Sequence, residues 1–232
     1  HQPERCPCDN RHHMEQNQHQ LLGDEQERVM LNLTRRNGFT LVELMIVVAI
    51  LGILSLLAAP AFRDWIGNTR TRTVSEALQN DLRRAQAEAV RTNRRVALVF
   101  TNSTPIDNTG SSTPASPARN WVIYALPMTG GAEATPFVAS YIQDPGSTVT
   151  VSSALTAICF NSVGRLVAGG TIPNTGSTAC PAPGNGVNIT VSNSEVTGSE
   201  ARPLRIEVST GGKLRLCDPK RSITNAPDGC TS

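Results

Sequence analysis

Histidine and cysteine, the residue types that most often ligate metals or act in catalysis, are concentrated at the start of this chain. All four histidines and two of the six cysteines lie within the first 19 residues. Their spacing matches none of the usual zinc patterns. Beyond residue 38 there is no histidine, acid pair, Gly-rich phosphate loop or metal-ligand spacing, so we expect no enzyme activity, cofactor or metal. The metal-cluster candidates are Cys6, Cys8, His12, His13 and His19.

Glu43 is a lone acid within an apolar run from Phe39 to Phe62. In those 24 residues the only side chains that are not apolar, small or proline are Thr40, Glu43 and Ser55. A helix of this length rises about 36 Å, enough to cross a hydrocarbon core of about 30 Å. The run predicts a transmembrane helix; a buried core helix, the alternative, is usually shorter and polar on one face.

The flanks of the apolar run predict its orientation. Arg35 and Arg36 precede it, and the positive-inside tendency keeps such an end in the cytoplasm, so the rest of the chain is exported. A secretory signal peptide is the competing interpretation, but its apolar core has about 7 to 15 residues and its cleavage site follows that core. Here the most suggestive processing site, Asn37-Gly38-Phe39, lies before the run.

The stretch "GFTLVELMIVVAILGIL", residues 38–54, resembles the prepilin signature of type IV pilins and type II secretion pseudopilins. It combines a glycine, an aromatic residue, T-L-x-E and a long apolar run behind basic residues. The resemblance implies that a prepilin peptidase cleaves after Gly38 and methylates the new terminus, Phe39. It also implies that Glu43 meets the terminal amine of a neighbouring Phe39 during filament assembly. A glutamate that merely snorkels to the membrane interface is the alternative.

The residues after the apolar run predict an amphipathic continuation of the same helix, from about Phe39 to Asn93. Pro60 removes a helix hydrogen bond, so it predicts a kink or a boundary between membrane and water segments. The arginine-rich face beyond it contains Asp81 and Glu88, which favours a solvated face over a nucleic-acid patch. Apolar residues recur on the other face at helical spacing; they are Val74, Leu78, Leu82, Ala85 and Ala89.

The last part of the chain consists of short β-rich runs separated by Gly, Pro, Asn and Ser, which predicts a mostly antiparallel β domain. With the resemblance, the expected fold class is α+β and pilin-like, a long N-terminal α-helix, transmembrane in its first half, packed on a β head. The expected leader, 1–38, consists of an over-extended gene start, 1–29, and the prepilin leader peptide, 30–38. The expected segments after it are the transmembrane helix segment 39–62, the amphipathic helix 63–93 and the periplasmic head 94–232. The expected strands are "RVALVF", "NWVIYAL", "PFVASYI", "STVTVSS", "TAICF", "GRLVAG", "GVNITVS", "PLRIEVS" and "KLRLC".

Two stretches of the head, "ICFNSVGRL" and "RIEVSTGGKLRLCDP", resemble the GspH/FimT (FimU-like) minor pilin branch of the family. The second stretch predicts a closing hairpin whose three-residue loop is 210–212. This loop pairs Val208 with Leu214, and Ile206 with Leu216, on one buried face. The same register places Glu207 opposite Arg215 on the outer face.

Within that hairpin, "GKLR" approximates the G-R-x-R motif with which DNA-binding pilins contact DNA. Lys213 departs from the motif, because an ammonium group lacks the bidentate fork of arginine. Glu207 opposes the interpretation because it can neutralise Arg215, and no aromatic residue lies near in sequence to stack bases. Lys220 and Arg221 add two cations. The candidate DNA-binding residues are Lys213, Arg215, Lys220 and Arg221.

The head retains four cysteines, an even number in a domain placed outside the cytoplasm, where disulfides persist. Four cysteines allow three pairings. Sequence proximity favours Cys159 with Cys180 and Cys217 with Cys230, while a cross-link between the two segments stays open.

Together these features predict a minor pilin of a type IV pilus, held in the inner membrane before assembly and placed at the tip or in the assembly-priming complex afterwards. The expected partners are other pilins and minor pilins, the prepilin peptidase and the inner membrane. A minor pseudopilin of a type II secretion system is one alternative. A DNA-binding pilin for natural transformation, with DNA as a further partner, is the other. Without residues 1–38 the net charge is +3, which is too mild to decide for or against nucleic acid.

Overall fold

The computed structural model describes residues 38–104, 112–128 and 137–231, and for Pro60 it describes the backbone alone. The expected gene start, the leader peptide up to residue 37 and the metal-cluster candidates lie outside the described residues. The chain divides between Ile53 and Leu54 into two compact units.

One continuous helix, α1, spans Leu41–Thr92 within the described residues, which confirms the expected helix within two residues at either end. Pro60 lies inside α1 without ending it, and the predicted kink stays a prediction. The helix ends at Thr92, and the next residue, Asn93, has a φ of 52°, in the left-handed region common just after helix C-termini. The amide of Arg94 then donates to the carbonyl of Ala89 at 3.2 Å, which closes the last turn.

In the described part of the head, nine strands follow the helix and form two sheets. The first sheet has the order β3-β2-β1-β5 and is antiparallel throughout. The second has the order β4-β6-β7-β8-β9 and is antiparallel except for the short pair β8-β9. The strands are β1 Val96–Thr101, β2 Asn120–Ala125, β3 Phe137–Tyr141, β4 Val149–Ser153, β5 Ala157–Phe160, β6 Gly186–Asn193, β7 Leu204–Ser209, β8 Leu214–Ser222 and β9 Gly229–Cys230.

The expected strand at "GRLVAG" is wrong. After a turn at Gly164, only an isolated bridge between Phe160 and Leu166 forms. Gly164, Gly169 and Gly170 have φ values of 77°, 78° and 89°, a conformation that turns the chain out of the extended state at both ends of the run.

The main core joins the amphipathic part of α1 to both sheets. All five residues of the predicted stripe are buried, with Val74 6% exposed and the other four fully covered. They form one cluster with alternate residues of β1, such as Leu98 and Phe100, and of β6, such as Ile189. A second cluster lies on the other face of the first sheet, where the disulfide Cys159–Cys180 holds its covering segment in place.

Candidate functional sites on the apolar helix and the closing hairpin

The beginning of α1 is an N-capped helix start. The Thr40 hydroxyl accepts a hydrogen bond from the backbone amide of Glu43 at 3.1 Å, which satisfies one of the free amides of the first turn. Glu43 is the acid of that turn, where the helix dipole favours a negative charge. Sequence analysis missed this role of Thr40, although threonine three residues before glutamate is a known capping pattern.

The Glu43 side chain is exposed and makes no hydrogen bond or ion pair among the residues that the structure describes. Gly38 and Phe39, the predicted cleavage position, precede the helix and are exposed too, Phe39 to 82%. The predicted assembly residues are therefore accessible in the single chain.

The first part of α1 is apolar on every side. Leu41–Ala59 is a span of 19 residues with a mean hydropathy of 2.8, long and apolar enough to cross a membrane, and none of it is buried within the chain. A soluble helix normally buries an apolar stripe and exposes a polar one. This segment has no polar face, so its apolar surface needs lipid or other protein chains to cover it.

The closing hairpin has the predicted register. Val208 pairs with Leu214, Ile206 with Leu216, and Glu207 with Arg215. The amide of Ser209 donates to the carbonyl of Lys213 at 3.0 Å across the three-residue loop. Val208 and Ile206 are buried, whereas Leu214 and Leu216 are partly buried against the same core.

The structure ties three of the four candidate DNA-binding cations to the protein itself. Arg215 donates to the carbonyls of Pro227, at 3.0 Å, and Gly229, at 2.6 Å. Lys220 donates to the carbonyls of Gly198 and Ala201. The Arg221 guanidinium lies 2.8 Å from the Asp228 carboxylate.

Lys213 is exposed, and its ammonium group has no partner in the described part of the chain. The hairpin therefore presents fewer available cations than its sequence suggests, and DNA contact stays a prediction.

The disulfide Cys217–Cys230 crosses the outer face of the second sheet and completes the pairing that sequence proximity favours. The Glu207 carboxylate lies within 4.8 Å of both of its sulfur atoms, and one carboxylate oxygen is buried without a hydrogen-bond partner. Because both sulfurs are bonded to each other, this group offers a metal only one carboxylate. It is a poor metal site in this oxidation state.

A glutamine that sequence analysis missed connects the helix to both resembling stretches of the head. The Gln86 side-chain amide donates to the carbonyls of Gly164, at 2.7 Å, and Gly212, at 3.1 Å. A Cβ atom at Gly212, where φ is 87°, would lie 2.0 Å from the Gly164 carbonyl oxygen. The amide of Leu166 also donates to the carbonyl of Thr210 at 3.1 Å, so the two turns and the helix meet at one point.

Comparison with known families now identifies the chain. Residues 74–212 match the family described as Type II transport protein GspH, and residues 33–59 match the prokaryotic N-terminal methylation motif. The first match covers more than half of the chain and includes α1 from Val74 onward and most of the head. The protein belongs to the GspH family, whose members are structural pilin subunits with the GspH/FimT-like type IV pilin fold.

Individual relatives match part of the chain. The chain is 35% identical to a type IV major alpha-pilin of Moraxella bovis over 103 residues, which cover 44% of this chain and 64% of that one. It is 38% identical to a fimbrial protein of Pseudomonas aeruginosa over 89 residues, 33% of this chain and 56% of that one. The chain thus spans less than two thirds of the length of these relatives.

Among solved structures, the type IV minor pilin FimU of Pseudomonas aeruginosa is 14% identical to this chain. The superposition has a TM-score of 0.41 and covers 72% of this chain and 99% of FimU.

Proposed function

We propose that this protein is a minor pilin subunit of a type IV pilus, made as a prepilin and held in the inner membrane by residues 39–62. In this account the prepilin peptidase cleaves after Gly38 and methylates Phe39. The subunit then enters the filament at the tip or in the assembly-priming complex. The observation that carries the proposal is the wholly exposed apolar span Leu41–Ala59, which begins three residues after Gly38 and carries Glu43 in its first turn.

The proposed task of Glu43 is to pair with the methylated amine of Phe39 in a neighbouring subunit. A carboxylate near the end of a membrane helix is costly, by about 2.5 to 3.5 kcal/mol at the bilayer centre and less near the interface. An opposite charge from another subunit offsets that cost, so the acid favours assembly over the isolated membrane state. Residues 63–93 then act as the helical support of the head, 94–232, in the periplasm. The role is structural, and we expect no hydrolase activity.

Complementation of a strain that lacks this protein tests the proposal. Glu43→Gln should still be cleaved after Gly38, yet should fail to enter sheared filaments and fail to restore surface pili and twitching. Glu76→Gln is the matched control, since Glu76 lies on the same helix, exposed and outside the apolar span. The Glu76→Gln chain should enter filaments and restore surface pili and twitching. Normal incorporation of the Glu43→Gln chain would contradict the pairing.

A minor pseudopilin of a type II secretion system is the second candidate function, favoured by the description of the matching family. The two candidates differ in phenotype. Loss of a pilus subunit reduces surface pili and twitching, whereas loss of a pseudopilin leaves exported enzymes in the periplasm. Measuring both in one deletion strain separates them.

DNA contact through the closing hairpin is a separate prediction, supported by the exposed, unpaired Lys213. Binding of DNA by the full chain in detergent should weaken with salt and weaken further in Lys213→Gln. Lys220→Gln is the matched comparison, because Lys220 is engaged by main-chain carbonyls. Absence of binding at low salt would rule out this use of the hairpin.

A further inference from the structure

A groove with one exposed aromatic ring and two arginines lies just beyond the apolar run. Its volume is about 280 Å³, and Trp65, at 65% exposure, forms one wall. Trp65 is a large apolar side chain in a position that the core of the head does not use. The groove is lined by Trp65, Asn68, Thr69, Arg72, Arg202 and Leu204.

The loop between β6 and β7 builds the second wall and is fastened to the helix. The Asn68 side chain accepts a hydrogen bond from the amide of Arg202 at 3.0 Å and donates to the carbonyl of Glu200 at 2.9 Å. Val196 from the same loop is buried over Gly67, where a Cβ atom would come within 2.4 Å of the Val196 side chain. Arg202 is therefore held beside Trp65 by the fold.

The charges of the groove favour an anion. Arg72 shares its charge with Glu76 through an ion pair of 2.8 Å, with both side chains at least half exposed. Arg202 is exposed, and its guanidinium has no acidic partner or hydrogen bond within the described residues. The groove thus offers one unpaired cation, reinforced by a second that is partly neutralised.

The position of the groove along the helix points to a membrane surface. Trp65 lies three residues after Phe62, where the apolar run ends, which is a rise of about 4.5 Å along a helix. The headgroup layer on each side of a bilayer is about 5 to 8 Å thick, and tryptophan is enriched there. Arg72, about two turns further along the same helix, lines the groove together with Trp65.

We propose that this groove binds the headgroup of an anionic phospholipid and seats the base of the head on the periplasmic surface of the inner membrane before the subunit is assembled. Trp65 lies in the headgroup layer, and Arg202 contacts the lipid phosphate. This inference rests on the proposed membrane anchoring but not on the choice between pilus and secretion system. It adds a lipid preference that a hydrophobic anchor alone does not give.

Fluorescence of the full chain in lipid nanodiscs tests the proposal, because the chain has only two tryptophans. Trp121 is fully buried, stacked on Tyr141 and hydrogen-bonded to Asp81, so it supplies a constant background. A Trp65→Phe variant measures that background. Two sets of discs contain the same mixture of phosphatidylglycerol and phosphatidylcholine. In one set the phosphatidylglycerol carries a nitroxide on its acyl chain near the carbonyl, and in the other set the phosphatidylcholine carries it, at the same mole fraction.

We expect labelled phosphatidylglycerol to quench Trp65 about fivefold more effectively than labelled phosphatidylcholine, since one basic residue near an anionic surface contributes about that factor. Arg202→Gln should remove most of this preference. Arg165→Gln, which removes an exposed arginine from another part of the head, should leave it unchanged.

Equal quenching by the two labelled lipids would overturn the proposal. The proposal would also be overturned if neither labelled lipid quenched Trp65 and its emission shifted with protein concentration. A second copy of the chain would then occupy the groove. In either case co-elution of the chain with the discs would leave the proposed anchoring intact. A chain that does not enter the discs would contradict the anchoring and this inference together.

Discussion

The two halves of helix α1 are both rich in apolar residues, yet they meet opposite surroundings. Leu41–Ala59 is exposed on all sides, whereas Val74, Leu82 and Ala89 lie on one stripe that the head buries. The later segment finds its packing partners in its own chain. Among the described residues the earlier segment has no such packing partners, so its surface is available to lipid or to other protein chains. The difference teaches that the intermolecular role we propose belongs to the part of the helix with the fewest contacts of its own.

A leucine-to-alanine substitution in each half tests this comparison with the largest expected difference in the free energy of unfolding. Leu82→Ala removes a fully buried side chain and should lower the free energy of unfolding by about 2 to 5 kcal/mol. Leu56→Ala, at a position 78% exposed, should change it by less than about 0.5 kcal/mol. Urea unfolding of the full chain in detergent, followed by Trp121 emission, measures both. Equal effects would mean that the two halves share one kind of environment.

The contact between the helix and the closing hairpin tests how tightly the head holds the later half of α1. Gly212→Ala places an alanine in the left-handed backbone region and its methyl group against the Gly164 carbonyl. It should therefore lower the free energy of unfolding by about 1 to 3 kcal/mol. At the neighbouring Gly211 a Cβ atom would make only an ordinary contact, 3.8 Å from the Ser209 hydroxyl oxygen, and its φ lies outside that region, so Gly211→Ala is the control. Thermal unfolding compares the two. If Gly211→Ala were as damaging, the close contact would not be the cause.

Gln86 should matter less than Gly212 but more than an ordinary helix glutamine. Gln86→Leu leaves the carbonyls of Gly164 and Gly212 without their donor and should cost about 1 to 2 kcal/mol. Gln79→Leu, at a partly buried position about two turns earlier on the same helix, should be close to neutral. Hydrogen exchange of the Thr210 loop should speed up in the first variant alone. Unchanged exchange there would show that Gln86 does not hold the loop.

The smallest expected effect is a pH dependence near the end of the helix. Hydrogen bonds from Arg91 hold the pKa of Glu88 below the ordinary value for glutamate, about 4.3. The ion pair therefore adds stability above that value, and this contribution is lost as the pH falls through the lowered pKa. Because Arg91 is largely exposed, solvent screens the pair.

Unfolding measured from pH 6 to pH 3 should show this contribution as a slightly shallower decline in Glu88→Gln. Arg91→Gln should give the same profile, since either change removes the pair. A decline as steep in both variants as in the unchanged protein would contradict this origin.

Local patterns in the sequence predicted much of the fold. The spacing of Val74, Leu78 and Leu82 defines a helix face, and the loop length of the closing hairpin sets which residues lie opposite each other. The proximity of the cysteines also favoured the two disulfides that form. These features depend on residues close in sequence, where periodicity and turn geometry act directly.

The rest depends on contacts between distant residues. Gln86 meets turns that lie 78 and 126 residues further along the chain, and no periodic pattern marks such a contact. Likewise, the number of cations on the hairpin could not reveal that main-chain carbonyls engage Arg215 and Lys220. β9 has only two residues and carries no strand signal of its own.

The central claim is that the exposed half of α1 enters a filament after processing at Gly38. Mass spectrometry of the chain in sheared filaments from its native host tests this most directly. The account predicts that its N-terminal peptide begins at Phe39 and carries one methyl group on the amine. A filament-associated chain that retains residues before Phe39, or a chain found only in the membrane fraction, would contradict it.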